Sequence, residues 1–183
     1  MQLFLVLKAD VKGSFKSTIE EESFEDPIFL NTDRAVQIEI GNAAADGIIR
    51  NANRDWILGY NRHLGKCSIF NAKLWGILEG LRLIQRRGHD EGITQSDSLE
   101  VVKAIFDRNS TGENFALIRR IQSILSPEKS ILSPEKRWCL RYIPGDQNQV
   151  VDCLAKQALF GSDYLQHVVD ANETREGKVA VQK

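Results

Sequence analysis

The chain has 183 residues, enough for one domain with a core of its own, and a net charge of -1. So balanced a charge excludes a global basic field that would draw in nucleic acid, and leaves only local basic faces. Three widely spaced cysteines, Cys67, Cys139 and Cys153, give neither a zinc pattern nor a disulfide framework, which points to free thiols in a reducing compartment. The apolar start, Leu3–Leu7, is too short for a secretion signal or a membrane span. An intracellular protein, nuclear or cytoplasmic, is expected.

In chain order, residues 1–27 read as a leader with little order, acidic over Glu20–Asp26. Ile28–Asp33 is a short apolar run ending in a carboxylate and reads as a strand covered on both faces. Gly41–Gly47, rich in Gly, Ala and Asn, reads as a turn. Gly47–Arg50 and Trp56–Tyr60 read as strands joined by a polar turn, an antiparallel hairpin with Ile28–Asp33 as third member. Over Asn71–Arg87 the period changes. Leu74, Ile77, Leu78, Leu81 and Ile84 form one helical stripe, which Gly88 stops. Gly92–Asp97 is a weak strand. Asp97-Ser-Leu-Glu100 resembles a capping box opening a helix over Leu99–Asp107.

A further helix is expected over Glu113–Leu125, a strand over Arg137–Ile143, a turn over Pro144–Gln147 and a last helix over Gln149–Phe160. Ser123–Lys129 is repeated letter for letter by Ser130–Lys136. Structural repeats have periods of roughly 20–50 residues, so this copy is a duplication bulging from a loop region at 123–136. Pro127 and Pro134 bar a helix through it. Residues 161–183 form a polar, fraying tail.

Three early antiparallel strands followed by alternating helices and strands imply an α/β fold. It would have a mixed five-stranded sheet, three strands antiparallel and two parallel, flanked by helices. Asp33 and Asp97 fall at strand ends, and Asp152 in the first turn of the last helix. Functional groups gather at such strand ends. Three carboxylates meeting there repel one another, and a hard divalent cation, Mg²⁺ or Mn²⁺, is their natural partner. Two such ions about 3.5–4 Å apart would clamp a phosphodiester for attack by water. Capping or dipole stabilisation is the competing role for Asp97 and Asp152.

The matching pieces are Asn31-Thr-Asp33, Gly47-Ile-Ile-Arg50, Trp56-Ile-Leu-Gly59, Ala72-Lys-Leu-Trp-Gly76, Ser96-Asp-Ser98, Leu117-Ile-Arg-Arg120, and Asn148-Gln-Val-Val-Asp152 running into Leu154-Ala-Lys-Gln-Ala158. In this order and spacing the chain resembles type 1 ribonuclease H. More narrowly it resembles the plant domains related to the C-terminal domain of LINE-type retrotransposon reverse transcriptases. The resemblance spans residues 28–160 and implies a four-carboxylate, two-metal site that cuts the RNA strand of an RNA–DNA hybrid. It assigns Asp33, Asp97 and Asp152 as catalytic and metal-binding. The fourth carboxylate, a glutamate in the family, is Lys73 here, and a family histidine is Tyr142. Two glycine-type positions have become Arg34 and Asp46.

An ammonium in place of a bridging carboxylate changes the site's charge by two units. It would repel a metal and could pair with Asp33 or Asp97, while the fold survives if the Lys73 head reaches water. Glu79, rotated by about 240° around the helix, faces elsewhere. Asn148 matches a substrate-binding position, with helix capping as its alternative role. Arg82 and Arg86 are candidate phosphate contacts, as are Arg87, Arg119 and Arg120, against the plainer reading, favoured by the net charge, that they are solvated helix faces. Trp56 and Trp75 could stack on a base or fill the core. The expected function is a hybrid-binding domain of nuclease ancestry with an impaired site. The alternatives are a non-catalytic interaction domain or a decaying retroelement remnant.

Overall fold

The computed structural model describes residues 6–9, 15–18, 26–37, 42–89, 91–107, 112–125, 137–148, 166–170 and 181–182. Its strands are β1 (Val6–Ala9), β2 (Phe15–Thr18), β3 (Ile28–Gln37), β4 (Asn42–Arg50), β5 (Trp56–Lys66), β6 (Glu91–Ser96), β7 (Arg137–Tyr142), β8 (Gln166–Asp170) and β9 (Val181–Gln182). The described helices are α1 (Ile69–Arg86), α2 (Leu99–Phe106) and α3 (Phe115–Leu125), with a 3-10 turn at Gly145–Gln147. The expected last helix, Gln149–Phe160, with Asp152, lies outside the described residues, as does the duplicated heptad from Ser126 onward.

The main sheet has the order β7-β6-β3-β4-β5-β8-β9. Strands β3 to β7 are the expected mixed sheet: β3, β4 and β5 form an antiparallel meander, and β6 and β7 run parallel to β3. Two strands extend it beyond expectation, β8 antiparallel to β5 and β9 antiparallel to β8. Residues 161–183 thus carry strands that their polar sequence does not announce. The stretch read as a leader likewise holds an antiparallel hairpin, β1 with β2.

Three boundaries differ from the sequence reading. Strand β3 runs on to Gln37, so Asp33 sits within the strand instead of ending it. The expected turn at Gly41–Gly47 is the first half of β4, where Ala43, Ala44 and Ala45 are fully buried. Small residues suit a turn, but equally a strand covered on both faces; burial decides here. On α2 the cap is Ser98, whose side chain accepts from the Val101 N–H, so Asp97 is left out of the capping role.

Helix α1 starts at a Ser68 cap that accepts from the Asn71 N–H at 3.1 Å. It ends where Gly88, at φ +81, lets the chain turn and its N–H bond back to the Gln85 carbonyl. The whole expected stripe, Leu74, Ile77, Leu78, Leu81 and Ile84, is buried against Leu30, Ile49, Leu58 and Tyr60 of the sheet. Close approach depends on glycine. A Cβ on Gly80 would lie 2.5 Å from the Tyr60 hydroxyl and 2.6 Å from Leu30; one on Gly47 would lie 2.4 Å from the Tyr60 ring. Tyr60 fills the space thus left and donates to the Gly76 carbonyl at 2.6 Å. The weak strand β6 holds because it lies between β3 and β7, and Gly92 leaves room for the Trp138 ring. No helix among the described residues is long and apolar enough to cross a membrane.

Candidate active site

The parallel pairing of β3 with β6 sets Thr32 beside Ser96, so Asp33 on β3 and Asp97, just past the end of β6, follow at one level. Helix α1 crosses there. A Cβ on Gly76 would touch the backbone oxygens of Asp33 at 3.4 Å and Asp46 at 3.5 Å, so the helix lies close over this part of the sheet. Lys73, one turn earlier, sends its ammonium to Asp97, with Nζ donating to Oδ1 in a short contact, and lies 4.0 Å from Asp33 Oδ1. The sequence left the Lys73 head two places, water or a pairing with Asp33 or Asp97, and the structure takes the pairing: the residue is buried, and both carboxylates it meets are mostly shielded.

The nearby polar residues brace this centre. Asn148 donates to the Thr32 carbonyl at 2.9 Å and accepts from Asn31 at 3.4 Å, tying the turn after β7 to β3. Tyr142 stands across from Ser96 on β7 and is half-buried. Arg82 and Arg86 are elsewhere. Arg82 lies 3.9 Å from Glu79, and Arg86 is exposed in the last turn of α1. Glu79 itself is buried and bonded to Arg62 at 2.8 Å, turned away from the Lys73 centre as its helical phase requires.

One carboxylate in this region was hidden by the turn reading of its segment. Asp46 lies directly across β4 from Asp33. Like charges opposite each other on a sheet are destabilising. Asp46 is fully buried and neither carboxylate oxygen has a hydrogen-bond partner. Burial, and then the charge of Asp33, push its pKa from 3.8 to about 8, so at neutral pH it is mostly the uncharged acid. The signal available in the sequence was the apolar run Ala43–Ala45 leading into it.

Among the described residues, this centre does not offer a divalent metal a full set of ligands; Asp152 lies outside them. Mg²⁺ needs oxygen ligands around it, but between Asp33 and Asp97 the chain supplies its own cation. Among the described residues no group of three or more His, Cys, Asp or Glu is arranged to hold a metal ion.

Residues 31–158 match the family model described as reverse transcriptase-like. The chain belongs to that family. A protein of Arabidopsis thaliana named for ribonuclease H is 38% identical over 52 residues, a match spanning 28% of this chain and 8% of that protein. Among solved structures, ribonuclease H1 of the archaeon Halobacterium salinarum superposes with a TM-score of 0.63 at 18% identity, covering 73% of this chain and 97% of its own. The N-terminal ribonuclease H domain of a Mycobacterium tuberculosis protein gives 0.62 at 18%, covering 73% and 93%. LC11 ribonuclease H1, solved with an RNA/DNA hybrid, gives 0.61 at 16%, covering 72% and 95%. The chain is thus a member of the reverse transcriptase-like family with a ribonuclease H-like fold.

Proposed function

We propose that this ribonuclease H-like domain binds RNA–DNA hybrid or a related nucleic acid, and that Lys73 suppresses hydrolysis of the bound strand. The contact of the Lys73 ammonium with Asp97, close to Asp33, carries the reading. Asp33, Asp97 and Asp152 would be the ancestral ligands of Mg²⁺ or Mn²⁺. A divalent ion would meet a fixed positive charge at about 4 Å, where a unit pair at an effective dielectric near 20 is worth about 4 kcal/mol. Metal affinity falls accordingly. Hybrid is recognised in this reading by shape, by 2′-hydroxyls and by phosphate contacts, for which Arg82, Arg86, Arg119 and Arg120 are candidates. Tyr142 stands in for the family histidine, and Asn148 keeps the substrate-side turn fixed to β3. The working compartment is nuclear or cytoplasmic.

The deciding experiment is cleavage of a labelled hybrid in Mg²⁺ by the wild type and by Lys73→Glu. The variant should cut at least a hundredfold faster. Equal rates would end the assignment of position 73. Hybrid binding without cleavage in both proteins would favour a non-catalytic interaction domain. The absence of any hybrid binding would refute the nucleic-acid reading itself.

A further inference from the structure

Beside the first two turns of α1 lies an open cleft of about 270 Å³. Asn71 and Trp75, one turn apart on α1, make one wall; Glu113 and Asn114, just before α3, with Ala116, Leu117 and Arg120 in its first turns, make the other. Small-molecule sites run from roughly 300 to 1,000 Å³, so this cleft suits a single ring system. Lys73 sits between Asn71 and Trp75 in sequence. Two residues turn a helix by about 200°, so cleft and ion-paired centre flank α1 at one level, about a helix diameter of 10–12 Å apart.

The lining has the chemistry of a base site. Trp75 offers a half-buried indole that already carries the Arg62 guanidinium at 4.6 Å from its centroid. Arg120 brings a second guanidinium, and Asn71 and Asn114 bring amides. The Asn71 Oδ1 is buried with no donor opposite it, a state that calls for an explanation. An apolar side chain would leave these groups unused. A nucleobase uses them, its face on the indole and its edge on the amides. A base within a duplex keeps its own stacking partners, so the occupant is unpaired.

We propose that the Trp75–Arg120 cleft takes one unpaired nucleobase from the strand flanking a hybrid seated over the Lys73 centre, an inference that rests on the nucleic-acid reading above.

The test is fluorescence anisotropy with three labelled hybrids, fully paired, with a short single-stranded overhang, and with an abasic overhang of the same length. The wild type should bind the base-bearing overhang about tenfold more tightly than the other two, the size of one base stacked on an aromatic ring. Ala116 is exposed, so Ala116→Leu fills the cleft from outside the core. It should abolish the advantage and leave affinity for the paired hybrid unchanged. Trp75→Leu should do the same and Trp75→Phe should keep most of it, with circular dichroism melts confirming that each variant folds. The proposal is overturned if paired and overhang hybrids bind equally, if the abasic overhang does as well, or if Ala116→Leu keeps the advantage. Loss of binding to all three hybrids in the wild type would remove this proposal together with the reading beneath it.

Discussion

Replacing Lys73 by methionine removes the ammonium and keeps a stem of similar volume in the same helical position. Asp33 and Asp97 then lose the ammonium that lies between them. The side chains of Lys73, Asp33 and Asp97 are 10%, 11% and 21% exposed, so solvent screens the group only slightly. Removing one partner of a buried pair costs about 3–5 kcal/mol, because the partner left behind remains desolvated. The partial exposure of Asp97 argues for the lower end, about 3 kcal/mol. Urea unfolding at pH 7 should show it directly. With a slope of about 1–3 kcal/mol per molar, the midpoint falls by about 1–3 M. The companion measurement is a double-mutant cycle of Lys73→Met with Asp97→Asn, which should give a coupling energy of about 2 kcal/mol. Millimolar Mg²⁺ should raise the melting temperature of Lys73→Glu and leave the wild type unmoved. A loss below about 1 kcal/mol for Lys73→Met, together with zero coupling, would refute the claim that this lysine holds the site together.

Two further outcomes follow from neighbouring residues. Asp46 binds its proton more tightly folded than unfolded, so between pH 3.8 and about 8 the native state holds the extra proton and stability falls as pH rises. Asp46→Asn should flatten that slope and be the more stable protein at pH 8, by an amount on the order of a few kcal/mol in chemical denaturation; parallel pH profiles would contradict it. Gly80→Ala sets a methyl 2.5 Å from the Tyr60 hydroxyl and 2.6 Å from Leu30, both buried, so one of them must shift. A loss of about 1–3 kcal/mol is expected. Calorimetry showing an unchanged melting temperature would disprove the close packing described for α1 on the sheet.

Several features were legible because they are local. The α1 stripe is set by the 3.6-residue period, its end by Gly88, and the order of the inner strands by short apolar runs between turns. The placement of Asp33 and Asp97 as neighbours followed from that order, since parallel strands β3 and β6 bring corresponding positions together. Other features depend on what covers a residue. Ala43–Ala45 have the composition of a turn and the burial of a central strand. Asp46 looked like a turn residue, yet it lies inside the sheet against Asp33. Residues 166–170 carry only two apolar residues, Val168 and Val169, too short a run to announce the strand that pairs with β5.

The amino-acid sequence by itself determined the order of β3 to β7 with α1 to α3, the family and the odd lysine among the acids, because periodicity and spacing survive without knowledge of neighbours. Only the tertiary structure decided where that lysine's charge goes. A long flexible side chain at the rim of a helix can end in water or in the protein with equal local propensity. What settles the choice is the pair of desolvated carboxylates that the sheet holds beneath it.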